Sequence, residues 1–208
     1  SGPAGGRPDA RHRHESMKII DISRNLHSGM AVWPGDQKFR CRWTSRKRAG
    51  DPCNASAITL SVHAGTHVDA PYHCLDGTDA GNLPLEPFLG PARVAAVPDR
   101  PRIDLSDLAA MNWTGVNRVL FKTEALREAG SGFNWNFTYL SEEAAEFLVG
   151  RGIVLVGTDA PSVDAYSSRT MPVHRTLLAR GIAILEWACL DEVPPGDYQL
   201  ACLPLKLA

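Results

Sequence analysis

The stretch "HAGTHVDAPYH" at residues 63–73 restricts the folding of this chain more than any other. Gly65 and Pro71 both oppose a helix there, one through backbone entropy and the other through a missing N–H donor and a ring clash. On the extended backbone that remains, His67 and Asp69 are two residues apart and point to one face. His63, four residues earlier, shares that face unless Gly65 introduces a bulge. Three of the seven histidines and a carboxylate are thus gathered into eleven residues. Any one of these histidines alone reads as a capped or hydrogen-bonded polar residue. Three of them with Asp69 favour a shared centre, and imidazole with carboxylate suits a borderline divalent ion such as zinc. Pro71 then turns the chain and sends His73 to the edge of that centre, placed for proton exchange.

At 208 residues the chain suits one sizeable domain with a substantial core. Apolar content of 44% and charged content of 22% are ordinary for a soluble globular protein. No window nears the ~18 uninterrupted apolar residues of a membrane span. Residues 1–16 lack the apolar core of a secretory signal and read as a flexible, mildly basic tail, leaving 17–208 as the folded domain. Cys41, Cys53, Cys74, Cys189 and Cys202 form an odd set with no C-x-x-C pair, so free thiols in the cytoplasm are expected. The sequons at Asn54, Asn112 and Asn136 are then chance matches. Residues 1–50 hold 11 Lys/Arg against 4 Asp/Glu (+7), and residues 51–208 hold 11 against 19 (−8). "FRCRWTSRKRAG", with Arg46-Lys47-Arg48, lacks the framework of a nucleic-acid-binding module, so a solvated basic face is expected there.

No repeat or linker divides the chain. "MKIIDIS" reads as a first strand, and Trp33-Pro34-Gly35-Asp36 carries strong turn chemistry. "FRCRWTSR" alternates like a half-exposed strand, and "AITLSVHAG" reads as a strand running directly into the histidine stretch. "ARVAAV" and "NRVLFKT" are further short strands. "SEEAAEFLVGRG" predicts a helix capped by Ser141 and ended at Gly150 or Gly152, and "IVLVGTDAPS" a buried strand delivering a polar loop. A second helix starts at Pro172 and ends before Gly181, leading into the strand "IAILEWACL". Strands mixed with a few flanking helices make an α/β fold with a mixed sheet.

Glu186 interrupts that last apolar run. An unpaired carboxylate there costs several kcal/mol, about 2 or more, to bury, so it needs a cationic partner or a strand end facing water. His174, at the start of the preceding helix, can return to the same sheet edge and share a site with Glu186. Asp159 and Asp164 in "GTDAPSVDAYS" are candidates to orient a ligand histidine, with loop capping at least as good a reading. Trp33 can stack on an aromatic substrate or simply pack. Cys74, adjacent to His73, points away from it on most backbones and makes a poor nucleophile candidate. Walker, G-x-S-x-G and G-x-G-x-x-G motifs are absent.

The histidine stretch resembles the H-x-G-T-H-x-D-x-P-x-H signature of the metal-dependent cyclase family, best known for bacterial kynurenine formamidases (arylformamidases). The resemblance continues through "DIS", "VWPGD", "PLEPFLGPARV", "GTDAPSVD", "AILE" and "VPPGDYQLACLPLKL", from Met17 onward. It implies a swivelling β/β/α fold, found as a homodimer or higher homo-oligomer. It also implies two divalent metal ions, zinc in first place with manganese or cobalt also suited, held by His63, His67, Asp69, His174 and Glu186. His73 becomes the proton donor/acceptor and Trp33 the contact for the substrate's ring. The implied reaction is hydrolysis of a small aromatic amide, N-formyl-L-kynurenine to L-kynurenine and formate. Isatin hydrolases and other amide or lactam hydrolases of secondary pathways share the motif, and a non-catalytic metal-binding scaffold is the alternative outside enzymes. Members usually extend somewhat past "LPLKL", so a further segment beyond Ala208 is expected.

Overall fold

The segments RVLFK, LVGT and AILE are apolar without alternation and almost wholly buried, the pattern of strands covered on both faces. A computed structural model of the chain describes residues 18–97, 100–123 and 132–207; the tail expected at 1–16 lies outside the described residues. The strands are β1 (Arg40–Ser45), β2 (Ala55–Thr59), β3 (His67–Asp69), β4 (Leu89–Ala96), β5 (Arg102–Ile103), β6 (Arg118–Lys122), β7 (Tyr139–Leu140), β8 (Leu155–Thr158), β9 (Ala183–Glu186) and β10 (Gly196–Ala201). The helices are α1 (Leu105–Ala109), α2 (Glu142–Gly150) and α3 (Pro172–Leu178). Six strands form a mixed sheet in the order β10-β4-β6-β8-β9-β3. β4, β6, β8 and β9 run parallel, and β10 and β3 close the two edges antiparallel. The fold is therefore α/β, in one domain.

The pleat divides the core in two. Val119, Phe121, Val156 and Ile184 pack with the helix residues Leu108, Ala144, Leu148 and Leu177. Leu120, Leu155, Ala183 and Leu185 pack on the other side with Phe88, Leu190 and Leu200. Ser141 caps α2 by accepting from the Ala144 N–H, and Glu142 and Glu143 favour its positive end. Pro172 opens α3, where its missing donor costs nothing, and Gly181 follows its end at φ 70°.

Two strand expectations require correction. Residues 18–23, within "MKIIDIS", join no sheet; the Ile22 carbonyl takes one backbone bond from the Cys189 N–H (2.7 Å), and Ile20 and Ile22 pack against the core. Packing and isolated bonds hold this segment instead of a ladder. The strand expected to run through "AITLSVHAG" ends at Thr59. Ala64 then bonds back to the Ser61 carbonyl (3.1 Å), and Gly65 turns the chain at φ 73° before β3 begins. The left-handed φ favours glycine, and a Cβ on Gly65, 2.6 Å from Leu26 Cδ2, would also displace that side chain.

β1 and β2 form a separate antiparallel pair, almost entirely exposed. The carboxyl ends of β8 and β9 meet the start of β3, where His67 pairs directly with Glu186. Parallel sheets bind ligands at this end of their strands. Within the sheet, Gly157 lies between Leu120 and Leu185 of the neighbouring strands, and a Cβ there would come 2.9 Å from Leu120 Cγ. Gly157→Ala is therefore expected to overpack the core and lower stability by about 1–3 kcal/mol, read as a lower urea midpoint with an unchanged m-value.

Candidate metal centre

β3 presents an imidazole and a carboxylate, and β9 a carboxylate, to the same end of the sheet. His67 and Asp69 share a face of β3, as period-2 spacing requires. The antiparallel register places Glu186 opposite His67, and His67 Nε2 lies 3.6 Å from Glu186 Oε2. His63 arrives from the turn before β3 rather than from the strand itself, and its Nδ1 stands 3.1 Å from Asp69 Oδ1. His174, in the first turn of α3, brings Nε2 to 3.3 Å from Asp69 Oδ2 and 3.2 Å from Glu186 Oε1. The structure thus gathers His63, His67, Asp69, His174 and Glu186 around one volume.

Asp69 is 2% exposed, and neither of its oxygens has a hydrogen-bond partner. As neutral imidazoles, His67 and His174 do not supply one. His67 Nδ1 donates to the Gly65 carbonyl (2.9 Å), and His174 Nδ1 donates to Asp164 Oδ2 (2.6 Å). With those protons on Nδ1, each Nε2 turns a lone pair toward carboxylate oxygens. Acceptors facing acceptors at these distances repel unless a cation lies between them. A tetrahedral ion with bonds of ~2.1 Å sets its ligand atoms about 3.4 Å apart, and the contacts around Asp69 and Glu186 run from 3.1 to 3.6 Å. Two groups with ligand atoms within 4.8 Å, His67-Asp69-Glu186 and His63-Asp69-His73, share Asp69. These residues fit divalent metal.

The electrostatics follow from this crowding. Burial would raise the Asp69 carboxyl, but His174, His63 and His67 hold it well below the usual carboxylate range. Burial would lower His67, yet Asp69, Glu186 and the Gly65 carbonyl raise it to about 9. His174 rises well above the usual imidazole value, against its burial, under Asp164, Asp69 and Glu186. His73 behaves oppositely. Desolvation and the like charges of His63, His174 and His67 outweigh Asp69 and push it down to about 4. It sits at the end of a 3₁₀ turn, Pro71–His73, with its ring 4.2 Å from that of His63 and 5.5 Å from that of His174.

Supporting residues divide between read and unread. Asp164 orients His174 and also accepts from the Val173 and His174 backbone N–H groups, so loop capping and ligand orientation are one function. Asp159 accepts from the Thr123 backbone N–H and hydroxyl. Thr66 was not singled out by sequence reasoning, although its place between Gly65 and His67 in the signature was the available signal. Its hydroxyl donates to the Trp187 carbonyl (2.7 Å) and accepts from the Arg24 N–H (2.9 Å), tying β3 to the chain after Glu186. Trp187 itself stands at φ 59°, an outlier for a bulky residue, directly after Glu186. Trp33 lies in its turn, closed by the Asp36 N–H on the Trp33 carbonyl, with Gly35 at φ 97°. Its ring centroid is 5.4 Å from Phe133 and 5.2 Å from Tyr166. Phe133 in turn lies 6.1 Å from Trp187, which continues the aromatic group to the residue after Glu186. No periodicity announced this cluster, because its members come from four separate loops.

The family model Cyclase matches residues 20–165. The chain is 40% identical over 194 residues to the kynurenine formamidase of Salinibacter ruber, covering 92% of each. It is 40% identical over 189 residues to that of Geobacillus thermodenitrificans, covering 90% of each. Among solved structures, a potential metal-dependent hydrolase with cyclase activity aligns with TM-score 0.78 at 30% identity, covering 92% of this chain and 91% of the other. An isatin hydrolase A from Labrenzia aggregata shares the fold with TM-score 0.75 at 24% identity, over 92% of this chain and 88% of its own. The sheet, the signature at 63–73 and these likenesses together make the chain a member of the cyclase family.

Proposed function

We propose that the protein is a metal-dependent hydrolase of aryl formamides, cleaving N-formyl-L-kynurenine to L-kynurenine and formate. The observation that carries this is the buried Asp69 carboxylate, ringed by imidazole nitrogens and Glu186 with no donor of its own. It occurs in a chain 40% identical to kynurenine formamidases along nine-tenths of its length.

His63, His67, Asp69, His174 and Glu186 would hold two divalent ions. Both oxygens of Asp69 would take part, Oδ1 facing His63 and His67 and Oδ2 facing His174. Zinc suits imidazole and carboxylate best, and manganese fits the same donors. Such ions supply Lewis-acid polarisation of the formyl carbonyl and lower the pKa of a water toward about 7. The chain's own residues do the rest. Water oxygen adds to the formyl carbon, and the C–N bond breaks only as its nitrogen gains a proton, since an anilide anion is a very poor leaving group. His73, beside those residues and not locked in a hydrogen bond to them, is neutral near pH 7; it takes the proton that the attacking water gives up and passes it to that nitrogen. Trp33, with Phe133 and Tyr166 around it, positions the aryl ring.

Two further readings belong with this one. A cytoplasmic setting suits five cysteines that are all free. Among the described residues, no helix is long and apolar enough to cross a membrane. A homodimer accounts for the β1–β2 pair, since a lone two-stranded ribbon is marginal in water. This one exposes Trp43 at 48% and Ile58 at 56%.

Formate release from N-formyl-L-kynurenine is expected to exceed ring opening of isatin. It should vanish on chelation and return with a divalent ion. Faster isatin opening would identify a lactam hydrolase instead, and activity indifferent to chelation would reject the metal mechanism. His73→Ala should retain its metal by elemental analysis while kcat falls about 10²–10⁴-fold. Unchanged hydrolysis would remove His73 from proton transfer, and a metal-loaded but inert wild type would indicate a scaffold. Asp164→Asn, which weakens the hold on His174 Nδ1, should cost about 10–100-fold in metal affinity by competitive chelator titration.

A further inference from the structure

Trp187 occupies a position that glycine would take with less strain. Its φ of 59° lies in the left-handed region, where a bulky side chain is an outlier. The backbone bonds around it account for that conformation but not for the indole. The Trp187 N–H donates to the Ala160 carbonyl (3.0 Å), and its carbonyl accepts from the Thr66 hydroxyl (2.7 Å). Any residue, glycine included, makes both bonds. A large side chain kept on a strained backbone beside a functional site needs a task of its own.

The indole is buried and touches two parts of the molecule. One is Arg24, whose guanidinium carbon lies 4.2 Å from the ring centroid and whose backbone N–H is bonded to Thr66, the residue before His67. The other is Phe133, its ring 6.1 Å away at an interplanar angle of 70°. Phe133 stands edge-on to Trp33 at 5.4 Å. The turn of Trp33 is tied to the metal centre separately. Asp36 accepts from the Ser61 hydroxyl (2.7 Å), and that hydroxyl accepts from the His63 N–H (3.2 Å). Phe133 reaches the strand end that carries Glu186 through the indole.

We infer that Trp187 is a positioning residue: it holds the Phe133 side of the aryl-binding group at a fixed separation from the metal centre, with Arg24 pinning the indole. The inference rests on the hydrolase reading above. There the formyl carbon lies at the metal centre while the aryl ring lies among Trp33, Phe133 and Tyr166, so the separation of the two ends decides whether a substrate binds in a reactive pose. A misplacement of about 1 Å caused far from the chemistry can cost about 100-fold in rate. The indole, 3% exposed, is too buried to touch substrate and acts through Phe133. A cation over an indole face is held more firmly once it loses water, and Arg24 Nη1 is buried.

The test uses the metal-loaded full chain. Trp187→Gly removes the indole, accepts the left-handed φ without strain and keeps both backbone bonds. It should lower kcat/KM for N-formyl-L-kynurenine about 10–100-fold with KM raised, and weaken calorimetric binding of L-kynurenine in parallel. Metal affinity, by competitive chelator titration, should stay as in the wild type. Trp187→Phe, which keeps an aromatic ring beside Phe133, should recover most of the loss. In a Phe133→Ala background, Trp187→Gly should weaken L-kynurenine binding no further, because the indole acts through that ring. Unchanged kcat/KM and L-kynurenine affinity with only a lower urea midpoint would reduce the indole to core filling and overturn the proposal. A metal affinity that falls along with them would also overturn it, since the effect would then lie on Glu186. Should Trp187→Gly not fold, Arg24→Met decides: it keeps an apolar stem over the ring without the cation, weakened L-kynurenine binding supports the positioning role, and unaltered binding rejects it. Should the wild type release no formate from N-formyl-L-kynurenine, the hydrolase reading fails separately, and the L-kynurenine titrations still decide. A wild type that does not bind L-kynurenine rejects the positioning role as well.

Discussion

The Asp69 carboxylate, sealed from water with no donor bonded to it, is the constraint around which the sheet's functional end is arranged. A buried carboxylate is tolerable only beside positive charge, and the effective penalty for an unpaired one is several kcal/mol, about 2 or more. Three imidazoles from three separate segments converge on it: a turn, a strand and a helix. Two of them are oriented from behind by acceptors, the Gly65 carbonyl and Asp164, which leave their Nε2 lone pairs facing inward. The result is a basin of acceptors that draws in a cation. In its absence protons take that place, which is why His67 and His174 rise, while His73 falls because desolvation and the neighbouring imidazoles outweigh Asp69.

The fold serves this end through register. Pairing β3 antiparallel to β9 places His67 across from Glu186, and a slip of β3 by one residue would turn His67 and Asp69 to the wrong face. The neighbouring strands are apolar on both sides and fix β9 firmly, with Val156 and Leu185 in separate cores above and below the sheet. Glu186 is therefore carried on a strand paired on both sides. Thr66 adds a tie between β3 and the Trp187 carbonyl, so the two ligand-bearing strand ends cannot separate without breaking a hydrogen bond.

Much of this could be read from residue order. His67 and Asp69 follow from period-2 geometry, and the lone carboxylate in "AILE" marked β9 as a strand with a polar end. The helices at 142–150 and 172–178 declared their caps. What local pattern could not convey was backbone direction at special dihedrals. His63 reaches Asp69 because Gly65 turns at φ 73°, which ends the expected continuous strand. "MKIIDIS" has the composition of a strand, but strands are made by partners, and its residues find packing and one backbone bond instead. The aromatic group around Trp33, and the Arg24 guanidinium over Trp187, arise from residues far apart in the chain. No window of sequence could join them.

β3 is only three residues long and lies at the sheet's open edge, yet it carries His67 and Asp69. So short a strand gains little cooperativity from its own ladder, and its attachment depends on what its side chains grip. On the proposed ligand set, ion capture and completion of the sheet are the same event. The empty protein would hold five finished strands and one provisional edge, opening locally at a free energy well below that of the whole domain. Such an edge offers unpaired backbone groups to other chains. Metal loading would then protect the protein against association as well as arm its chemistry.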